Sequence, residues 1–150
     1  MRNGVVKHGW TIAFHPLFIE QLNSLEREVI KAQKSSPDTL TQARCFKQFA
    51  AIKELIYNRI PEDPTRTIYR QGSTLGRSNK NWFRAKFGGQ HRLFFRFDQA
   101  SKVIVFAGFN DESTLRAYGS KKDAYKVFKG MLKDGNPPST WQELLESCNT

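Results

Sequence analysis

Trp82-Phe-Arg-Ala-Lys-Phe87, Gly88-Gly89-Gln90, then His91-Arg-Leu-Phe-Phe-Arg-Phe97 is the stretch whose reading decides the fold. A third apolar run, Val103 to Phe109, follows and ends in Asn110-Asp111-Glu112, with Arg116 and Tyr118 closing the segment. Taken as strands, alternate residues point to opposite faces. Phe83, Ala85 and Phe87 share one face of the first run, and Trp82, Arg84 and Lys86 the other. In the second run Leu93, Phe95 and Phe97 oppose Arg92, Phe94 and Arg96. A hairpin of the two would gather the cations into one patch with Phe94 among them.

Local acids do not balance that patch. From Pro64 to Phe97 there are eight Lys or Arg (Arg66, Arg70, Arg77, Lys80, Arg84, Lys86, Arg92, Arg96) and no Asp or Glu, so +8 of the chain's +10 sits in this span. Concentrated charge of one sign makes a field that attracts polyanions.

With 150 residues, 39% hydrophobic content and 12 Phe, the chain reads as one globular domain over residues 1–150, large enough for a core. A pI near 9.9 makes nucleic acid the leading partner ahead of an anionic membrane. No run reaches membrane-spanning length, and no apolar signal-peptide core opens the chain. Cys45 and Cys148 form no Cys-x-x-Cys pattern and read as free thiols of a reducing cytoplasm, the first in the core and the second in the tail. Three histidines without ligand spacing give no support for a metal site, and no cofactor motif is present.

Residues 1–8 read as a loose basic leader and Trp10 to Phe14 as a short strand. Pro16 suits the first turn of a helix running to about Lys34 with Phe18, Leu22, Leu25 and Val29 inward. His15 either caps that helix or serves in a site. Thr39-x-x-Gln42 resembles a capping box for a second helix, with Cys45, Phe49, Ile52, Ile56 and Ile60 on one face and Pro61 as its stop. Residues 61–81 are a long connection. Its Gly72-Ser-Thr-Leu-Gly76-Arg-Ser78 lacks the lysine and spacing of a phosphate loop, and Leu75 plugs the core. A helix from about Lys121 to Asp134, capped by Ser120 or Asp123, buries Ala124, Val127, Phe128, Met131 and Leu132. Lys121, Lys122, Lys126, Lys129 and Lys133 line the rest of it, a second basic surface. Gly135 and Pro137-Pro138 stop it, Ser139 or Thr140 starts a last short helix, and residues 142–150 form a partly flexible tail. The expected fold is α+β, a small twisted antiparallel sheet with helices packed on one face. Arg84, Lys86, Arg92 and Arg96 would occupy its free face.

The chain resembles the YhaV toxins, a branch of the RelE/ParE superfamily of toxin–antitoxin systems. The resemblance runs from Trp10 to about Trp141. It is carried by Trp10 with His15-Pro16-x-Phe18, Gly72-x-x-Leu75-Gly76, Trp82-x-Arg84-x-Lys86-Phe87, Arg92-Leu-Phe-Phe-Arg96, Asn110-Asp111-Glu112-x-Thr114-Leu115-Arg116-x-Tyr118-Gly119, Ala124-Tyr125 and Pro137-Pro138-x-x-Trp141. It implies a toxic endoribonuclease that cleaves mRNA, in association with translation on the ribosome. It also implies an AbrB-like antitoxin of the PrlF kind, in a complex that binds its own operator DNA. By position the superfamily's catalytic Lys, Arg and Tyr fall on Arg84, Lys86, Arg92, Arg116 and Tyr118.

Metal-independent RNA cleavage uses the ribose 2′-OH as nucleophile. The enzyme must take a proton, neutralise charge on the phosphoryl oxygens and protonate the leaving 5′-oxygen. Always cationic and bidentate toward phosphate, Arg84 and Arg92 suit the middle task. Lys86 could act as base beside other cations, and Tyr118 could orient the 2′-OH or stack on a base. Phe94 could stack on a base, with Arg77, Lys80 and Arg96 gripping RNA alongside. His91 competes as acid or base by its ordinary pKa, though a regular strand turns it to the other face from Arg92. Asp111 and Glu112 are either a base or a cap. A gyrase poison of the ParE kind and a non-catalytic RNA-binding module are the other readings.

Overall fold

The computed structural model describes residues 4–72, 74–111 and 124–148. In chain order the described elements are β1 (Val5–Lys7), β2 (Trp10–Phe14), α1 (Pro16–Ser35), α2 (Arg44–Glu54), a π-helical turn (Leu55–Arg59), α3 (Ile60–Glu62), β3 (Phe83–Phe87), β4 (His91–Asp98), β5 (Val103–Phe109), α4 (Ala124–Lys133) and α5 (Trp141–Ser147). The strands form one sheet ordered β1-β2-β5-β4-β3. The class is α+β, as expected. β3, β4 and β5 pair antiparallel as their short loops require, whereas β2 pairs parallel to β5, which makes the sheet mixed. Val5–Lys7, read as loose leader, is an edge strand paired with β2.

Strand alternation sorts the core into two layers. Ile12, Phe14, Leu93, Phe95, Ile104 and Phe106 face α1 and α2, packing with Phe18, Leu22, Ile52 and Ile56. Ala13, Phe94, Val105 and Ala107 face the opposite way and meet Val127, Phe128 and Met131 of α4 and Leu144 of α5. Helices therefore cover both faces, and the free face expected behind the cations is occupied. The reason is compositional: apolar residues alternate with apolar residues along β5, so each face carries a stripe that water would penalise.

Several local devices fix the frame. His15 ends β2 and caps α1, its Nδ1 accepting from the Leu17 N–H at 3.1 Å. Burial lowers its pKa from 6.5 to about 4, so the capping imidazole is neutral. The expected capping box at Thr39 is instead a 3-10 turn over Pro37–Gln42, and α2 begins after Ala43 without a side-chain cap. Pro61 does not stop the helix, which runs to Glu62 with the Asp63 N–H closing on the Ile60 carbonyl. The 61–81 connection is held by Gln71: its Nε2 donates to the Asn79 carbonyl at 2.9 Å, and its Oε1 accepts from Thr74 Oγ1 and the Leu75 N–H. Leu75 is fully buried, as read.

β5 carries a bulge. Phe94 pairs with Gly108 and Phe95 with Phe106, leaving Ala107 as the extra residue. Phe106 and Phe109 consequently face the same layer. The amide of Gln21 on α1 pairs with the strand just past the bulge, donating to the Phe109 carbonyl and accepting from its N–H. The thiols exchange their expected places: Cys148 is buried, and Cys45 is only half-buried against the core. Residues 142–147, read as tail, complete α5, which Thr140 caps.

Candidate functional site

The β3–β4 register brings the predicted cations together. Lys86 lies directly across from Arg92, and Arg84 across from Phe94, so Arg84, Lys86 and Arg92 emerge on one face at the margin of the sheet. Gly88 and Gly89 both take positive φ, which the tight turn between the strands needs and other residues resist. Two clamps hold the start of β4. Asn110 Oδ1 accepts from the Arg92 N–H at 2.8 Å while its Nδ2 donates to the Gln90 carbonyl, and Arg92 Nη1 donates to the carbonyls of Gly89 and His91. Arg84 Nη1 donates to the Ile68 carbonyl, and its Nε donates to Tyr125 Oη at 2.7 Å.

Tyr125 is the residue that sequence reasoning did not place in the site. Burial pushes the phenol's pKa up, but hydrogen bonds and charge from Arg84 and Arg92 outweigh it, and the net shift is downward. An acidified phenol between two guanidiniums can give or take a proton beside a bound anion. Its sequence signal is faint. In α4 it stands between Ala124 and Val127, at the border of the apolar stripe, where the ring can be half-buried and the hydroxyl can reach the sheet.

The remaining predicted residues divide. Lys86 is exposed, as are Arg77 on the 3-10 turn ahead of β3 and Lys80 just after that turn. Phe94 cannot stack on a base: it is fully buried and lies parallel to Phe128 with ring centroids 4.0 Å apart. Arg96 is half-buried and structural in its contacts. Its guanidinium lies 5.7 Å from both the Trp82 and Trp141 rings and donates to the Ser139 carbonyl. Its Nε is buried without a partner, and burial lowers its pKa. His91 turns to the other face, as alternation requires, onto a cleft of about 460 Å³ that Leu25, Arg44, Gln48 and Phe109 help to line. There its Nε2 lies 3.3 Å from the Gln48 amide nitrogen. Its pKa is lowered, first by burial and then by Arg44 and Arg92, against a raising contact with the Gly88 carbonyl. Arg116, Tyr118, Glu112 and the Ser120/Asp123 cap lie outside the described residues. Asp111 also lines the His91 cleft. Among the described residues, no group of three His, Cys, Asp or Glu is placed to hold a metal, and no helix is long and apolar enough to cross a membrane.

Residues 12–149 match the sequence profile of the YhaV toxin family, described as a toxin with endonuclease activity, of a toxin–antitoxin system. Toxin YhaV of Escherichia coli O6:H1 is 40% identical over 141 residues, 93% of this chain and 92% of the relative. Ribonuclease toxin YhaV of Escherichia coli strain K12 is 41% identical over 139 residues, 91% of this chain and 90% of the relative. A crystal structure of the toxin–antitoxin complex RelBE2 from Mycobacterium tuberculosis aligns with 75% of this chain and 99% of its own, at 19% identity and a TM-score of 0.43. The chain belongs to the YhaV family of toxins, which have endonuclease activity and act in systems that pair toxin with antitoxin.

Proposed function

We propose that this endonuclease cuts mRNA by attack of a ribose 2′-OH on the adjacent phosphate, without a metal. The observation that carries the reading is the hydrogen bond from Arg84 Nε to Tyr125 Oη at 2.7 Å, with Arg92 close enough to help lower the phenol's pKa. Tyr125, as phenolate, takes the 2′-OH proton. The 2′-oxygen bonds to phosphorus and the bond from phosphorus to the 5′-oxygen breaks. Arg84 and Arg92 neutralise the charge that gathers on the phosphoryl oxygens. Lys86, exposed and opposite Arg92, donates a proton to the leaving 5′-oxygen. The products are a 2′,3′-cyclic phosphate end and a free 5′-OH. His91 takes no step, because it stands on the other face of the sheet.

Tyr125→Phe keeps the ring and its burial, so the fold should survive. Its kcat on RNA should fall by about 10²- to 10⁴-fold, and that of Arg92→Ala by about 10²- to 10³-fold. The wild-type rate should climb with pH and level off below the ordinary phenol value of 10. Wild-type cleavage by Tyr125→Phe would overturn the assignment, and loss of cleavage in chelator would overturn the metal-free route.

Action on mRNA during translation, and so in the cytoplasm, is the setting that the family resemblance supports. For the antitoxin, the same resemblance supports an AbrB-like protein of the PrlF kind, with operator DNA bound through the complex. Expressing the chain with and without its neighbouring open reading frame tests this, since only that partner should restore growth and protect mRNA.

A further inference from the structure

Tyr125 lies in the first described turn of α4, and that helix leads away from the site as a line of positive charge. Over Ala124–Lys133 it carries three lysines and no acid. Lys129 and Lys133 follow Tyr125 at steps of four residues, each about 6 Å further along the axis and about 40° around it. The buried stripe of Val127, Phe128 and Met131 lies on the other side, and both lysines are exposed.

A second element brings its own cations alongside. Trp82 packs edge-on against Phe128 at 5.1 Å, which lays the chain entering β3 on α4. Gly76 takes a φ of +91°, and a Cβ there would sit 3.9 Å from Lys129 Cε. The loop therefore passes close over that lysine. Gln71, Asn79 and buried Leu75 hold the loop in shape, Asn79 Nδ2 donating to the Leu75 carbonyl at 2.9 Å. The platform so fixed presents Arg77 and Lys80 to solvent.

We infer that Lys129, Lys133, Arg77 and Lys80 form a track for the phosphodiester backbone of the substrate strand, holding nucleotides that flank the scissile phosphate at Tyr125. The inference rests on the nuclease reading and adds the surface that holds the strand. It makes the substrate an extended single strand, gripped through its phosphates on the α4 side and read there without base specificity. Phosphates of ribosomal RNA would offer the same chemistry, and the assay separates the two sources.

The test uses the full chain and two double variants, Lys129→Gln with Lys133→Gln and Arg77→Gln with Lys80→Gln. All four side chains are exposed, so the fold should be unaffected. Each is assayed on a long unstructured RNA, on a dinucleoside monophosphate that has no flanking phosphates, and on message in translating ribosomes. On the long RNA each pair should raise KM by about tenfold at low salt and make the log–log salt slope shallower by about 1.4, two contacts at about 0.7 each. On the dinucleoside monophosphate neither pair should change kcat or KM. An unmoved salt slope with intact cleavage would overturn the track, as would equal loss on both free substrates or a loss seen only with ribosomes. Failure of the wild-type chain to cut any RNA would instead overturn the nuclease reading beneath it.

Discussion

His15 joins the end of β2 to the start of α1 with one ring nitrogen, and it can do so only while neutral. The unfolded chain takes up this proton near pH 6.5, and the folded chain resists until about pH 4. The stabilisation is therefore complete above pH 6.5 and is lost as pH falls between those values. From pH 7 to pH 5 the loss should be about 2 kcal/mol. Asn is a good helix cap that does not titrate, so in His15→Asn the pH dependence of the denaturant midpoint should shrink to what His91 contributes in the same direction. His15 was legible in the sequence because a histidine before Pro16 and an apolar helical stripe has a local role. Arg84, Lys86 and Arg92 were legible because strand parity alone puts them on one face. Tyr125 was not, since its partners stand 41 and 33 residues earlier in sequence and nothing local marks the meeting. Parity also put Phe94 with the cations, correctly as to face, but it cannot tell a solvent face from one roofed by α4.

Among the elements, α5 and the segment before it depend on one side chain of β4. Arg96 lies between Trp82 and Trp141 and holds the Ser139 carbonyl. Arg96→Ala should lower stability by about 2 kcal/mol, measured by urea unfolding, through lost stacking and a carbonyl left without its donor. Arg96→Lys should recover little of it, because an ammonium lacks the flat fork that stacks on indole. Neither change should alter the salt dependence of RNA cleavage, which separates this arginine from Arg77 and Lys80. The sequence displayed Arg96 as one more cation of a row. Its burial follows from where Trp141 returns to the sheet, a long-range event that periodicity does not report. The helices themselves were readable from their stripes. The ends that failed are at Thr39, where the chain forms a 3-10 turn, and at Pro61, where the helical turn runs on to Glu62.

For the molecule as a whole, the two helical layers have separate duties. The layer of α1 and α2 closes the larger core. The layer of α4 and α5 closes the smaller core and delivers Tyr125 to the sheet. Phe128→Ala should cost about 3–5 kcal/mol, since it empties the contacts with both Phe94 and Trp82. Activity should fall further than Tyr125→Phe alone predicts under denaturing stress, because the phenol leaves with its helix. Calorimetry alongside cleavage assays would show both. The α+β class was readable from the order of apolar runs. The parallel pairing of β2 with β5 was not, because it joins segments separated by most of the chain.

The spare residue in β5 has a genetic consequence. Excising the codon for Ala107 would mend the pleat, since Phe106, Gly108 and Phe109 would then alternate regularly against the same partners on β4. Excising the codon for Val105, two places earlier, would put Phe106 and Ala107 in the wrong layers even if closing the bulge absorbed the loss. A scan of single-codon deletions through residues 103–109 should thus find tolerance confined to the bulge, at Ala107 or its neighbour Gly108, in an otherwise intolerant strand.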